Sequence, residues 1–136
     1  MKVIYDSSAA QEFQFTVEPV SLVHKAAVDA MRHWHNIEDL PRFANDRHGY
    51  GDSDGYFGIT YPSDLDEFDI SQGESIAEGH VVASASYGDP HAKAFSLPES
   101  EYIQLLGQYL ELSGKPELAK QVRNYNAEQG SEPDCQ

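Results

Sequence analysis

The chain has 136 residues, 40% of them hydrophobic and 11% aromatic, which suits one domain with a buried core. Its 23 acidic and nine basic residues give a formal net charge of -14. This balance argues against direct binding to nucleic acid or to an anionic membrane, because phosphate affinity depends mainly on Lys and Arg. The mean hydropathy is -0.56 and the sequence has no long apolar run, so we expect no membrane-spanning helix.

The ends of the chain suggest a reducing compartment. Charged residues follow Met1 too soon for a signal peptide. The single cysteine, Cys135, cannot form a disulfide within the chain. We therefore expect a cytoplasmic protein.

The first third of the chain predicts two strands and a helix. Lys2–Tyr5 is a short apolar run, and apolar residues alternate with polar ones over residues 13–17, so both segments read as strands. Apolar residues then recur at spacings of three and four, which predicts an amphipathic helix over residues 21–35 with Ser21 as its N-cap.

The middle of the chain predicts loops and short strands. Asn36 is expected to cap a short turn that Pro41 prevents from lengthening into a helix. Asn45–Gly55 is rich in Gly, Asp, Asn and Ser, which indicates a loop. Strands are predicted at Tyr56–Tyr61 and Asp66–Ile70, with a turn between them.

A hairpin and two helices are predicted next. Gly79–Tyr87 has the strongest strand pattern in this half, and His91–Ser96 can pair back onto it. Ser96 and Glu99 have the spacing of a capping box, which predicts a helix with Pro98 in its first turn. Its apolar stripe, interpreted as core, is formed by Tyr102, Leu105, Leu106, Tyr109 and Leu110.

The last segments complete the predicted fold. Gly114 is expected to end that helix and Pro116 to begin another, which makes a C-terminal helical hairpin. Because the strands cluster between helices, the order favours a single α+β domain over residues 1–126 with a mainly antiparallel sheet. Residues 127–136 are almost without apolar side chains, and we expect a disordered tail.

The acidic residues are concentrated in one part of the chain. Residues 51–100 hold ten acids and only Lys93, a net charge of -9, and no Lys or Arg lies between Arg47 and Lys93. Aromatic residues are interleaved with these acids, and Tyr is favoured at protein interfaces. We predict that this segment binds a protein partner through the acids Asp52, Asp54, Asp64, Asp66, Glu67 and Asp69 and the aromatic anchors Tyr56, Tyr61 and Phe68.

No motif for catalysis or cofactor binding accompanies this segment. The sequence has no Gly-x-Ser-x-Gly elbow, phosphate loop, dinucleotide fingerprint or two-histidine zinc motif. We therefore expect neither an enzyme nor a bound cofactor or metal. One alternative stays open, which is a small metalloprotein or enzyme that uses His80 and His91 across the predicted hairpin together with nearby carboxylates.

In its overall character the chain resembles bacterial immunity proteins of polymorphic-toxin and contact-dependent growth inhibition systems. Small size, strong acidity, one α+β domain and the lack of a catalytic constellation carry this resemblance, and no family residue is transferred. It implies an antitoxin that binds and neutralises a cognate basic toxin domain, for example a nuclease. A second alternative is a nucleic-acid mimic, which would use the same negative charge to inhibit a DNA-binding protein.

Overall fold

In the computed structural model, which describes residues 1–10, 13–51, 56–73, 75–86 and 93–124, helices pack against antiparallel strands. The elements follow one another in an order close to the predicted one. They are β1 (Lys2–Tyr5), β2 (Phe15–Glu18), α1 (Leu22–His33), α2 (Leu40–Asp46), β3 (Tyr50–Gly51), β4 (Phe57–Thr60), α3 (Glu67–Ser71), β5 (His80–Ala85), β6 (Lys93–Pro98), α4 (Glu99–Leu112) and α5 (116–124).

The N-terminal hairpin and α1 agree with the sequence pattern. Strands β1 and β2 pair antiparallel, and Val3 and Val17 face each other in the register and are both buried. Ser21 is the N-cap of α1, and its hydroxyl oxygen accepts a hydrogen bond from the His24 backbone N–H at 3.3 Å. The two predicted strands and the capped helix are thus confirmed, and the structure adds that the strands pair with each other.

The effect predicted for Pro41 is wrong. The Asn36 side chain caps a 3-10 turn over Ile37–Asp39, as predicted, but the chain then continues directly into α2. Pro41 lies in the first turn of α2, where its missing N–H is not needed for a helical hydrogen bond. The helix ends at Arg47, which adopts a left-handed conformation with φ of 51°.

The main sheet has the order β3-β4-β5-β6 and is antiparallel throughout. Its strands place alternate apolar residues on one face, where Ile59 is opposite Ala83 and Val81 is opposite Leu97. Helices α1 and α4 pack against this face and bury it. The hairpin of β5 and β6 is confirmed, although the Tyr87 and His91 ends of the predicted strands lie outside the described residues.

Helix α4 begins later than the sequence pattern predicts. Ser96 was expected to cap it, but Ser96 lies within β6 opposite Val82, and Pro98 is the N-cap. Pairing with β5 holds residues 93–98 extended, so the capping box cannot form at Ser96. The apolar stripe predicted as core is buried as expected, and its members are Tyr102, Leu105, Leu106, Tyr109 and Leu110.

The strand predicted at Asp66–Ile70 is also wrong. This segment forms the short helix α3, and both of its large apolar residues, Phe68 and Ile70, are exposed. Alternation predicts a strand only when one of its faces can be buried, and no element of the described residues covers Phe68 and Ile70.

These elements form a single α+β fold with antiparallel sheets, an N-terminal helix and a C-terminal helical pair, which confirms the predicted fold class. The boundary at residue 126 and the predicted tail lie outside the described residues. Within those residues, every helix is too short or too polar to cross a membrane.

Packing of α4 on the sheet gives a stability prediction. Leu106 is fully buried, so Leu106→Ala should lower the free energy of unfolding by about 2–5 kcal/mol, because it leaves a cavity in the core. Leu112→Ala, at the 42% exposed end of the same helix, should cost less than about 1 kcal/mol. Urea titration followed by circular dichroism measures both, and equal losses would contradict this packing.

Candidate functional site

Four of the six acids predicted to bind a partner follow strand β4, Asp64 in a 3-10 turn over Pro62–Asp64 and Asp66, Glu67 and Asp69 at the start of helix α3. One Asp64 carboxylate oxygen, Oδ2, accepts hydrogen bonds from the backbone N–H groups of Tyr61 at 2.7 Å and Gly49 at 2.9 Å. The Ser63 hydroxyl donates to the Arg47 carbonyl oxygen at 3.2 Å. These contacts attach the turn to the segment that follows α2.

A glycine is required where this attachment forms. A Cβ atom at Gly49 would collide with the Asp64 carboxylate and with the backbone carbonyl oxygen of Ile59. The backbone at Gly49 therefore approaches both the acid and strand β4 more closely than a side chain would permit.

Two further acids form a reciprocal cap on α3. Asp66 Oδ1 accepts from the Asp69 backbone N–H at 2.8 Å, and Asp69 Oδ2 accepts from the Asp66 backbone N–H at 3.1 Å. The Ser71 hydroxyl donates to the Phe68 carbonyl oxygen at 2.7 Å. The cap stabilises a helix of only five residues, and the negative charges at its N-terminus interact favourably with the backbone N–H groups there.

The cap leaves the apolar residues of α3 in solvent. Phe68 is 68% exposed and Ile70 is 60% exposed, and Glu67 beside them is exposed as well. We call the set of Asp64, Asp66, Glu67, Phe68, Asp69 and Ile70 the acidic surface. It combines four carboxylates with two exposed large apolar side chains.

No cation of the described residues forms an ion pair with the acidic surface. The described ion pairs involve carboxylates in other parts of the chain. They are His24–Glu101, Lys25–Asp29, Arg32–Asp29, Arg42–Asp39, Arg47–Glu99, Lys115–Glu38 and Arg123–Glu111. Hydrogen bonds from backbone N–H groups satisfy three of the four carboxylates without cancelling their charge, so the surface keeps a negative potential.

The predicted anchors differ in their accessibility. Tyr56 is 46% exposed and lies next to the start of β4. Tyr61 is only 1% exposed and packs edge-on against Tyr102, so the prediction that Tyr61 is a surface anchor is wrong. It continues the buried alternation of β4 from Ile59, and this places its ring in the core. The predicted binding residues Asp52 and Asp54 lie outside the described residues.

Sequence reasoning missed the exposure of Ile70. It also missed a cleft that lies across the Pro62–Asp64 turn from the acidic surface. Ile70 was interpreted as part of a strand, whereas it is exposed on helix α3 like Phe68. The cleft is lined by residues that come from several separate elements, and no spacing in the sequence connects them. Besides Tyr61, its wall includes Arg47, Ser63, Glu78, His80 and Glu99.

The histidines of the described residues do not gather into a metal site. No group of three or more His, Cys, Asp or Glu side chains in the described ranges lies close enough to hold a metal ion. His33 stacks on the ring of Phe57 with centroids 3.9 Å apart, and His24 contacts Glu101 at 2.8 Å. His80 is described, but His91, its partner in the alternative metal hypothesis, is not.

Comparison with known proteins gave no match to the chain, whether among protein families, curated proteins or solved structures.

The contacts of Asp64 predict that its loss destabilises the folded protein more than the loss of Glu67 from the same surface does. Asp64→Ala should destabilise the protein by about 1–2 kcal/mol, because the backbone N–H groups of Tyr61 and Gly49 lose their acceptor. Glu67→Ala should change the free energy of unfolding by less than about 0.5 kcal/mol. Chemical denaturation of both variants tests this difference, which disappears if Asp64 is only a surface charge.

Proposed function

We propose that this protein is an immunity protein that captures a cognate basic toxin domain through the acidic surface. The observation that carries the proposal is a set of four carboxylates around two exposed apolar side chains, with no ion pair from any described cation. Repulsion among these carboxylates costs folding free energy, and the attraction of a positively charged partner would offset that cost on binding.

The charges act on the rate of association. A toxin domain that binds nucleic acid carries a basic cleft for the phosphate backbone. Attraction between that cleft and a protein of net charge -14 would accelerate their encounter and align the two surfaces. The protein neutralises the toxin by covering this cleft or its approach. It acts in the cytoplasm, where such a toxin reaches its substrate, and it performs no catalysis of its own.

The apolar residues act on the lifetime of the complex. Phe68, Ile70 and Tyr56 each expose a large apolar or aromatic side chain, and aromatic side chains surrounded by polar groups are frequent energetic centres of interfaces. Burial of these side chains against the toxin would release water from both proteins and slow dissociation.

A growth assay tests the function itself. An immunity gene normally follows the gene of its toxin, so the toxin domain should be encoded immediately upstream. Expression of that domain should stop growth, co-expression of this protein should restore it, and the two should co-purify. An upstream product without toxicity, or toxicity that co-expression leaves unchanged, overturns the proposal. Capture of a DNA-binding protein instead overturns it in favour of a nucleic-acid mimic.

Neutralisation of the acidic surface should slow capture of the toxin domain. The variant Asp66→Asn, Glu67→Gln, Asp69→Asn removes three charges but keeps oxygen acceptors for the cap. We expect the association rate constant at low salt to fall by about tenfold, with a weaker dependence on salt concentration.

A matched control separates the local field from the net charge. Glu18→Gln, Asp46→Asn, Glu117→Gln removes the same number of charges from exposed positions outside the acidic surface. Stopped-flow kinetics should show that this control retains most of the wild-type rate. Equal losses in both triple variants would assign the effect to net charge alone.

Phe68 allows a test of the proposed anchor. Phe68→Ala should raise the dissociation rate constant of the complex by about tenfold or more, and it should leave the stability of the free protein nearly unchanged. Phe13→Ala is the control, because Phe13 is 60% exposed and lies outside the acidic surface. If surface plasmon resonance shows the same dissociation rate for both variants, Phe68 is not in the interface.

A further inference from the structure

The two edge strands of the main sheet, β3 and β6, differ in how far their backbone groups are satisfied. Strand β3 has only two residues, and the Gly49 N–H next to it donates to the Asp64 carboxylate at 2.9 Å. Strand β6 has six residues, and no strand of the described residues pairs with the side that faces away from β5. Strand β6 is therefore the long open edge of the sheet.

The N-terminal hairpin shows how this protein closes another edge. The Val3 N–H on β1 donates to Gln108 Oε1 at 2.7 Å, and Gln108 Nε2 donates to the Met1 carbonyl oxygen at 3.4 Å. One side-chain amide of α4 thus takes the place of a neighbouring strand. In the part of the chain that the structure describes, no side chain does the same for β6.

The register of β5 and β6 identifies the backbone groups that remain unpaired. The Glu99 N–H donates to the Gly79 carbonyl oxygen at 2.8 Å, just beyond the end of the two strands. Hydrogen-bonded pairs recur at every second residue of an antiparallel ladder, so they are Val81–Leu97, Ala83–Phe95 and Ala85–Lys93. The residues between them on β6, Ala94 and Ser96, direct their N–H and C=O groups away from β5, and both are exposed.

These unpaired groups match the backbone of an extended chain. Ala94 and Ser96 together provide two N–H donors and two carbonyl acceptors along one line, which is the pattern that an added β-strand pairs with. Their side chains are small, so they leave room for a neighbouring strand. Proteins often shield an edge strand with Lys or Pro, but Lys93 and Pro98 lie at the two ends of β6 and leave its centre accessible.

The open face of the main sheet connects this edge to the acidic surface. We use this name for the face opposite α1 and α4, formed by Thr60, Val82, Ser84 and Ala94. These residues line a concavity of about 360 Å³, and Leu65 and Gly73, which lie on either side of α3 in the chain, line it as well. A partner that binds the acidic surface is thereby brought close to β6.

We propose that the β6 edge binds an extended segment of the basic partner, which adds a fifth strand to the main sheet. The inference rests on the proposed function, since it names a contact within the same complex. Charge favours this occupant over a second copy of the chain. Pairing of two β6 edges would bring together two molecules of net charge -14 each, whereas a basic partner is attracted to the protein.

Amide hydrogen exchange of the free protein, followed by NMR, tests the assigned pattern. The amides of Phe95 and Leu97 donate to β5, so those of Ala94 and Ser96 should exchange at least about tenfold faster. Equal rates along β6 would show that its outward groups are already paired, which overturns the open edge. Protection of Ala94 and Ser96 that increases with protein concentration assigns the edge to a second copy and overturns the proposed occupant.

The same measurement on the complex separates this inference from the proposed function. Binding of the toxin domain encoded immediately upstream should slow exchange at Ala94 and Ser96 by at least about tenfold, because both amides then donate to the added strand. A complex in which these amides exchange as in the free protein overturns strand addition and leaves the proposed function standing. Failure to form any complex overturns the proposed function, and this occupant with it.

A pair of variants at one position tests the backbone contact. Ser96→Pro removes an outward N–H but no hydrogen bond to β5, and it should raise the dissociation rate constant of the complex by about tenfold. Ser96→Ala keeps that N–H and should stay within about twofold of the wild-type rate. Urea denaturation checks that both free variants are folded. Equal dissociation rates for two folded variants overturn the contact, and if Ser96→Pro does not fold, exchange in the unmodified complex decides.

Discussion

Carboxylates between Arg47 and Lys93 have no neighbouring cation in the sequence to compensate them. Backbone N–H groups stabilise several of them instead. Asp64 accepts from two backbone N–H groups, and Asp66 and Asp69 each accept from one. A neutral donor satisfies a carboxylate without cancelling its charge. The protein can therefore order this segment and still present a negative surface to its surroundings.

The same hydrogen bonds determine what else the surface presents. The reciprocal cap orders the backbone from Asp66 to Ser71 into a helix, so Phe68 and Ile70 stay in solvent at defined positions. Asp64 connects this segment to Gly49, and Ser63 connects it to Arg47. The turn that carries the first acid thus also forms a wall of the cleft. The acidic surface and the cleft are therefore neighbours on the two sides of this turn.

Local patterns predicted the elements that have their own periodicity. The alternation in β5 and the three- and four-residue spacing in α1 and α4 each describe a face that the core buries. The same reasoning failed at Asp66–Ile70, where the alternating residues have no core to face and the capping acids decide the helix. Tyr61 shows the opposite error. Its position among acids suggested an anchor, whereas its alternation with Ile59 already indicated the buried face of β4.

The sequence by itself determined the α+β class, most of the strands and long helices, and the concentration of negative charge, because these follow from composition and from periods of a few residues. Only the tertiary structure decided which acids bind backbone groups, which aromatic side chains stay exposed, and that Tyr61, Glu78 and His80 line one cleft with Glu99. Those facts depend on contacts between residues far apart in the chain, such as Gly49 with Asp64 or Arg47 with Glu99. Local spacing has no information about such contacts, since they arise only when the sheet and helices pack together.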